Sequence, residues 1–315
     1  MPENEKQLRE VAEKLLIDKK VDLIIGYEKG TLPLRTRPTF IKEPEETKRL
    51  VWNSRCENNL SFYLKTVKEK VGIVAKGCDS RSIVGLIKES QVKREVIFII
   101  GVPCPGIIDK KKIEDILDGR ELLEGVESDS QILLKAEGFE ETLDQDKLLH
   151  ASCRSCRHRN PVLYDTLMGK EISQPQTDEY SDVEEFASKQ DNERWAYFND
   201  ETSRCIRCYA CRNVCPACYC PQCFVDQSLP TWFDRTPHLS DTLIFHIIRT
   251  LHTAGRCVNC GACSRVCPMN VELRMLNKKT EKDVKELYGY EAGTDLEELP
   301  PMATFKIDDP QEFIK

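Results

Sequence analysis

The chain has 315 residues and a formal net charge of -7, with 31% charged and 40% hydrophobic residues. This length suits about two domains, and the acidic balance gives no reason to expect nucleic acid or an anionic membrane as partner. No apolar run reaches the roughly 18 residues of a membrane span, and the charged N-terminus lacks the apolar core of a signal peptide. The sequence predicts a cytoplasmic protein without a membrane span.

Strands alternate with helices along the first half of the chain. The hydrophobic pattern predicts a helix over residues 3–19 and a buried strand at VDLIIGY, residues 21–27. Further along come a probable helix at LSFYLKTVKEK, a strand at VGIVAKG (71–77), a helix at DSRSIVGLIKES capped by Asp79 or Ser80, and a strand at EVIFIIGVPC. This alternation predicts an α/β domain with a parallel or mixed sheet over residues 1–165.

An acidic segment follows the α/β domain. Residues 171–194, EISQPQTDEYSDVEEFASKQDNER, hold eight acidic and two basic residues. We interpret the wider region 166–198 as a solvated linker or loosely held arm. Residues 199–275 are predicted to form a small α+β domain, and 276–315 a charged tail without a functional interpretation.

A helix is predicted inside the second domain, at SDTLIFHIIRTLH. Its expected apolar face consists of Leu243, Ile244, Ile247, Ile248 and Leu251. His246 and His252 lie on the same helix, where a histidine is ordinarily a surface or a satisfied core residue.

Sixteen cysteines are a high count for a chain of this length. In a reducing compartment, clustered cysteines favour metal ligation over disulfides. The sequence CIRCYACRNVCP begins at Cys205, and CVNCGACSRVCP begins at Cys257. Both follow C-x2-C-x2-C-x3-C-P, the spacing of bacterial two-cluster ferredoxins.

This spacing has a physical reason. Three cysteines in a compact turn reach three corners of a [4Fe–4S] cube, and the fourth points away, toward the other cluster. Proline after the fourth cysteine, at Pro216 and Pro268, stops the turn from continuing as a helix. The predicted ligand sets are Cys205, Cys208, Cys211 and Cys267 for one cluster, and Cys257, Cys260, Cys263 and Cys215 for the other.

Zinc is the alternative metal for such cysteines. Structural zinc takes four ligands, typically two C-x2-C pairs or added histidines, and gives no reason for this doubled spacing. The first run continues as CPACYCPQC, which adds Cys218, Cys220 and Cys223. These three residues hold a further metal or are plain thiols beside the clusters.

Four of the other cysteines could form one more site. Cys78 follows the strand VGIVAKG at the start of a helix, near Lys76 and Arg81, and Cys104 ends the next strand. Parallel strand ends meet at the ligand-binding edge of an α/β sheet, and Cys153 and Cys156 form a C-x2-C pair. From the residues alone, a third cluster and ordinary buried cysteines remain two readings of this group.

The order VGIVAKGCDSRSIVGL, EVIFIIGVPCPG and CRSC resembles the β subunit family of coenzyme F420-reducing hydrogenase and F420-linked formate dehydrogenase. The resemblance covers roughly residues 20–165. It implies that Cys78, Cys104, Cys153 and Cys156 hold a third [4Fe–4S] cluster near a flavin, and it gives Cys56 no role. The chain lacks the Gly-Gly stretch of flavin-carrying members and any G-x-G-x-x-G motif. These absences count against flavin, so FAD is kept only as an alternative cofactor that the resemblance implies.

The sequence shows no catalytic constellation of its own. We therefore expect an iron–sulfur electron-transfer subunit of a soluble anaerobic oxidoreductase complex. The implied partners are hydrogenase, formate dehydrogenase or heterodisulfide-reductase-like subunits. Two alternatives remain: a flavin-dependent oxidoreductase acting on coenzyme F420 or a similar hydride carrier, and a zinc-stabilised interaction module.

Overall fold

The computed structural model describes residues 2–128, 130–175, 178–232, 234–305 and 307. The described residues form two compact units. The first comprises those within 1–80 and 92–176, and the second those within 81–91 and 177–315.

All strands among the described residues lie in the first unit. They are β1 (Leu23–Lys29), β2 (Thr36–Ile41), β3 (Val71–Ala75), β4 (Ile97–Gly101), β5 (Leu122–Glu127), β6 (Gln131–Ala136), β7 (Phe139–Asp144) and β8 (Thr166–Leu167). Five of them form a sheet in the order β2-β1-β3-β4-β8. Within it β1, β3, β4 and β8 pair in parallel, and β2 pairs antiparallel to β1. The α/β class and the mixed sheet are thus confirmed.

A second sheet, β5-β6-β7, is antiparallel and was not predicted from the sequence. Its central strand buries Ile132 and Leu134 against Ile113 and Leu117, in a small separate core. The flanking strands carry many exposed acidic residues, so their hydrophobic alternation is weak.

Helices complete the chain. They are α1 (Pro2–Ile17), α2 (Gly77–Lys88), α3 (Lys110–Leu117), α4 (Gln145–Leu148), α5 (Ala151–Arg154), α6 (Ser181–Ala187), α7 (Asp191–Ser203), α8 (Ala210–Asn213), α9 (Leu239–His252), α10 (Ala262–Arg265) and α11 (Arg274–Tyr288). Among described residues, every helix is too short or too polar to cross a bilayer.

Two local predictions need correction. LSFYLKTVKEK contains only a 3-10 helix, Leu60–Thr66. Helix α2 begins at Gly77, so neither Asp79 nor Ser80 is its N-cap. Instead the Asp79 carboxylate turns back and accepts hydrogen bonds from the backbone N–H and the Nζ of Lys76, at 3.1 and 2.8 Å.

The acidic segment is partly helical, which differs from the loosely held arm that its composition suggested. It contributes α6 and the start of α7. Val183 on α6 is buried, and the Asp182 carboxylate pairs with Arg274 at 2.7 Å and Lys278 at 2.8 Å on α11. Pairing with basic residues of α11 explains how a segment rich in acidic residues is held in place.

Helix α9 forms as predicted, but its expected apolar face was wrong. Ile244, Ile247 and Leu251 are 40%, 41% and 61% exposed. The buried positions are instead Thr242, Phe245, His246, Arg249 and Thr250. The polar side of this helix faces the interior of the second unit, where the cysteine runs lie.

Candidate metal centres

The two cysteine runs have the same backbone. In the first run, Arg207 and Tyr209 adopt left-handed conformations, with φ of 56° and 60°. The equivalent Asn259 and Gly261 of the second run have φ of 52° and 71°. Each run then continues into a four-residue helix, α8 or α10. The two runs therefore share one local backbone conformation.

The first thiol group contains Cys205, Cys208, Cys211 and Cys267. The charges of Cys267 and Cys208 act on Cys205. Those of Cys263, Cys205 and Cys267 act on Cys211, so Cys211 also lies near a thiol of the second run. Burial is the main cause that raises the pKa of the Cys211 thiol to about 12. Cys267, from the second run, therefore lies among the thiols of the first.

The second thiol group contains Cys257, Cys260, Cys263 and Cys215. The charges of Cys260 and Cys215 act on both Cys257 and Cys263, and burial raises the pKa of these two thiols above its ordinary value. Cys215, from the first run, thus lies among the thiols of the second. The fourth cysteine of each run thus lies near two thiols of the other run.

Backbone donors point at these sulfur atoms. The N–H groups of Arg207, Asn259 and Val271 lie 3.4 Å from the Sγ atoms of Cys205, Cys257 and Cys267 respectively. The first two donors are the left-handed residues of the shared turn. Such hydrogen bonds favour thiolates, the form that binds metal. An all-sulfur donor set supported by N–H groups fits iron–sulfur clusters.

The three further cysteines differ from one another. The thiol of Cys215 donates a hydrogen bond to Cys218, and this bond is the main cause that lowers the pKa of Cys218 to about 7. Cys223 accepts a hydrogen bond from the Arg212 guanidinium, and Cys220 is exposed. Cys218 therefore contacts a candidate ligand, whereas Cys220 lies at the surface.

The third candidate ligand group lies in the first unit. It follows two neighbouring parallel strands. Ala75 of β3 pairs with Gly101 of β4, so the following Cys78 and Cys104 start from the same sheet edge. Burial raises the pKa of Cys104 to about 12, and the charges of Cys153 and Cys156 act on it in the same direction.

Close backbone contacts hold the C-x2-C loop at this edge. A Cβ atom on Gly77 would lie 1.8 Å from the carbonyl oxygen of His158, so only glycine fits there. The N–H of Cys104 donates to the carbonyl of Arg159 at 2.8 Å. The His150 Nδ1 accepts the Ser152 N–H at 3.2 Å and caps the short helix that carries Cys153.

Lys76 supplies the positive charge nearest to this site. It is fully buried, and its Nζ donates to Tyr27 Oη at 2.7 Å, Asn58 O at 2.6 Å and Asp79 Oδ2 at 2.8 Å. Its charge acts on both Cys78 and Cys104.

Arg81, which we expected beside Cys78, instead donates from Nε to the carbonyl of Ala292 at 2.9 Å. Cys56 lies apart from the group. It is a fully buried thiol whose pKa burial raises to about 12.

Sequence reasoning missed several residues that shape these sites. His150 and Gly77 give no motif, because their importance comes from contacts distant in sequence. His246 is buried, and no acceptor or donor among the described residues contacts either ring nitrogen; burial lowers its pKa to about 3 and keeps it neutral. One sign of its burial was visible in the sequence, where polar residues recur along an otherwise apolar helix.

The chain is similar to β subunits of F420-dependent oxidoreductases over nearly its whole length, and the resemblance stated from its motifs is confirmed. It is 24% identical to the F420-dependent formate dehydrogenase subunit beta of Methanocaldococcus jannaschii, over 92% of each chain. It is 25% identical to the F420-dependent formate dehydrogenase 1 subunit beta of Methanococcus maripaludis, over 91% of this chain and 90% of the relative. The similarity therefore extends well beyond residues 20–165.

Two other comparisons add little. No family model matches the chain. A chain of the F420-reducing [NiFe] hydrogenase complex from Methanosarcina barkeri aligns over 48% of this chain and 58% of its own length, with a TM-score of 0.37 and 15% identity.

Proposed function

We propose that the chain is an iron–sulfur electron-transfer subunit of an F420-linked oxidoreductase complex, such as a formate dehydrogenase. The observation that supports the proposal is the closeness of Cys267 to Cys205 and Cys211, and of Cys215 to Cys257 and Cys263, as an exchange of fourth ligands would require. Two-cluster ferredoxins require this exchange, whereas independent zinc sites do not. The names of the two formate dehydrogenase relatives support the class of complex.

The proposed ligands are twelve cysteines in three groups. [4Fe–4S] clusters bound there would accept and release single electrons. The chain's own residues hold the thiolates, donate N–H groups to sulfur and limit the access of water. The groups are Cys205, Cys208, Cys211 and Cys267; Cys257, Cys260, Cys263 and Cys215; and Cys78, Cys104, Cys153 and Cys156.

Electron exchange with a partner needs one exposed ligand and a surface for association. Cys208 is exposed, unlike the other proposed ligands of the second unit. The outer face of α9 presents Ile244, Ile247 and Leu251 to solvent, and exposed apolar stripes are common at subunit interfaces. Both features support transfer to a partner subunit, at the side of the first group.

Metal analysis of the anaerobically purified chain tests the proposal. We expect about twelve irons and twelve sulfides per chain, three cubes of four, and no zinc. Cys104→Ser should lower iron to about eight, because it removes one ligand of the first unit's group. Cys56→Ala and Cys220→Ser are matched controls and should leave iron unchanged. A colourless, zinc-loaded protein would refute the function.

A flavin-dependent oxidoreductase acting on F420 is the second candidate, and the names of the relatives favour it. Its test is the same preparation. Tightly bound FAD that is reduced by reduced F420 would establish this activity. A flavin-free protein with a full complement of iron would leave electron transfer as the supported function.

A further inference from the structure

Helix α9 presents its polar side to the interior of the second unit. Three of its aliphatic residues are exposed, while Thr242, His246 and Arg249 are buried beside Phe245. A helix normally buries its apolar face. The burial of Thr242, His246 and Arg249 therefore implies that they face groups for which polar or charged partners are favourable.

Arg249 is the charged residue on this inner face. It is only 4% exposed, and its Nη2 donates to the carbonyl oxygen of Cys211 at 3.2 Å. Among the residues that the structure describes, no acceptor contacts its Nε or Nη1 and no carboxylate pairs with it. A buried guanidinium without a counter-charge is costly, so another anion must compensate it.

The groups that face Arg249, and that become negative when they bind metal, are thiols from both cysteine groups. Those that act on it are Cys215 and Cys263 of the second group, Cys211 of the first, and Cys218. Their combined effect outweighs burial and raises the pKa of Arg249. Arg249 therefore lies between the two groups and serves as a shared counter-charge.

We propose that Arg249 raises the reduction potentials of both clusters of the second unit, because one buried positive charge lies beside ligands of each. This role rests on the proposed function. A cluster with four thiolates is an anion that becomes more negative on reduction, and nearby positive charge favours the reduced form. Arginine supplies that charge at every relevant pH.

The test compares variants by redox titration followed by EPR. In Arg249→Gln, both midpoint potentials should fall. At the wild-type midpoint, the ratio of reduced to oxidised cluster should drop about tenfold, which corresponds to about 59 mV for one electron. Arg249→Lys keeps the charge and should stay within about threefold of the wild type. Arg274→Gln is the matched control, because Arg274 is equally buried but paired with Asp182 at 2.7 Å.

The outcomes separate the two proposals. Wild-type protein without iron refutes the proposed function itself. Variants that load iron normally while Arg249→Gln keeps wild-type midpoints overturn the role of Arg249 and leave the function intact. A Lys variant that shifts as far as the Gln variant also overturns it, because hydrogen bonding rather than charge would then be responsible. Loss of iron from both variants assigns Arg249 to cluster assembly and overturns the tuning role.

Discussion

The thiol group of the first unit and the two groups of the second are built in different ways. In the second unit, three members of each group come from seven consecutive residues with a shared turn, and one comes from the other run. In the first unit, the members come from the ends of β3 and β4 and from the loop after residue 150. Local spacing determines one kind of site, and long-range packing determines the other.

This difference predicts opposite sensitivities. A site made from a short repeat depends on its cysteines and on the left-handed turn residues. A site assembled at a sheet edge depends equally on residues that hold the elements together, although none of them binds metal. Substitutions outside the cysteines should therefore affect the first unit's site most.

Gly77→Ala should give the largest effect. The added Cβ would meet the His158 carbonyl oxygen at 1.8 Å, which displaces the loop that carries Cys153 and Cys156. We expect iron to fall from about twelve to about eight per chain, while the EPR signals of the second unit remain.

Gly85→Ala on the same helix is the control, since nothing lies within 4 Å of its added Cβ. It should keep all iron and gain about 0.5–1 kcal/mol of stability. Full iron in Gly77→Ala would contradict the proposed closeness of α2 and the cysteine loop.

The exchange of fourth cysteines can be tested with paired variants. Cys208→Ser and Cys267→Ser should each disturb the same cluster, although their positions belong to different runs. The double variant should then lose no more than about four irons, whereas Cys260→Ser with Cys267→Ser should lose about eight. A loss of about eight irons from the first double variant and about four from the second would mean that each run binds its own cluster. Cys223→Ser is the control and should keep the iron content of the wild type.

Glu281→Gln should change how stability depends on pH. Burial, followed by the opposing charge of Arg81, sets the pKa of Glu281 at about 7, above its usual 4.5. The folded chain therefore keeps a proton that the unfolded chain releases, so wild-type stability falls as pH rises from about 4.5 to 7, by up to about 3 kcal/mol. The Gln variant should lose this dependence.

Anaerobic thermal unfolding at pH 5 and pH 8 measures the effect of Glu281→Gln as a difference in Tm. Glu286→Gln on the same helix is the control, because that carboxylate is exposed and pairs with Lys282 at 2.6 Å. An unchanged pH slope in the Glu281 variant would show that this carboxyl is ionised in the folded chain.

The smallest effect is expected at Gly261, whose φ of 71° suits glycine. Gly261→Ala should cost about 1 kcal/mol, and Gly261→Asn less, because asparagine tolerates the left-handed region. Anaerobic denaturation measures both. Equal costs would show that the turn is limited by space and not by its backbone conformation.

The sequence predicted what depends on local pattern. The buried parallel strands were recognisable as short apolar runs. The cysteine spacing predicted that Cys267 lies near the first run and Cys215 near the second. The edge strand β2 escaped notice because it is short and contains Arg37 and Pro38. The sheet β5-β7 escaped notice because acidic residues interrupt the alternation of its flanking strands. The contact between Gly77 and His158 could not be predicted, since 81 residues separate them and no motif links them.

Helix α9 shows why hydrophobic periodicity alone was misleading. The stripe of Ile244, Ile247 and Leu251 has the spacing of a buried face, yet it is exposed. The pattern identifies an apolar face but not what covers it. The buried face carries Phe245 and Arg249, and only the tertiary structure shows that Arg249 contacts Cys211.

The exchange of Cys215 and Cys267 between the groups also sets an order of events during synthesis. When residue 215 has left the ribosome, three thiols of the first group are present and the fourth lies 52 residues further along the chain. The second set of four is complete only when Cys263 has emerged, and the first only when Cys267 has. With the proposed ligands, cluster insertion into the second unit must wait for the second run, and a delivery system that acts on nascent chains would find the first unit's four cysteines first.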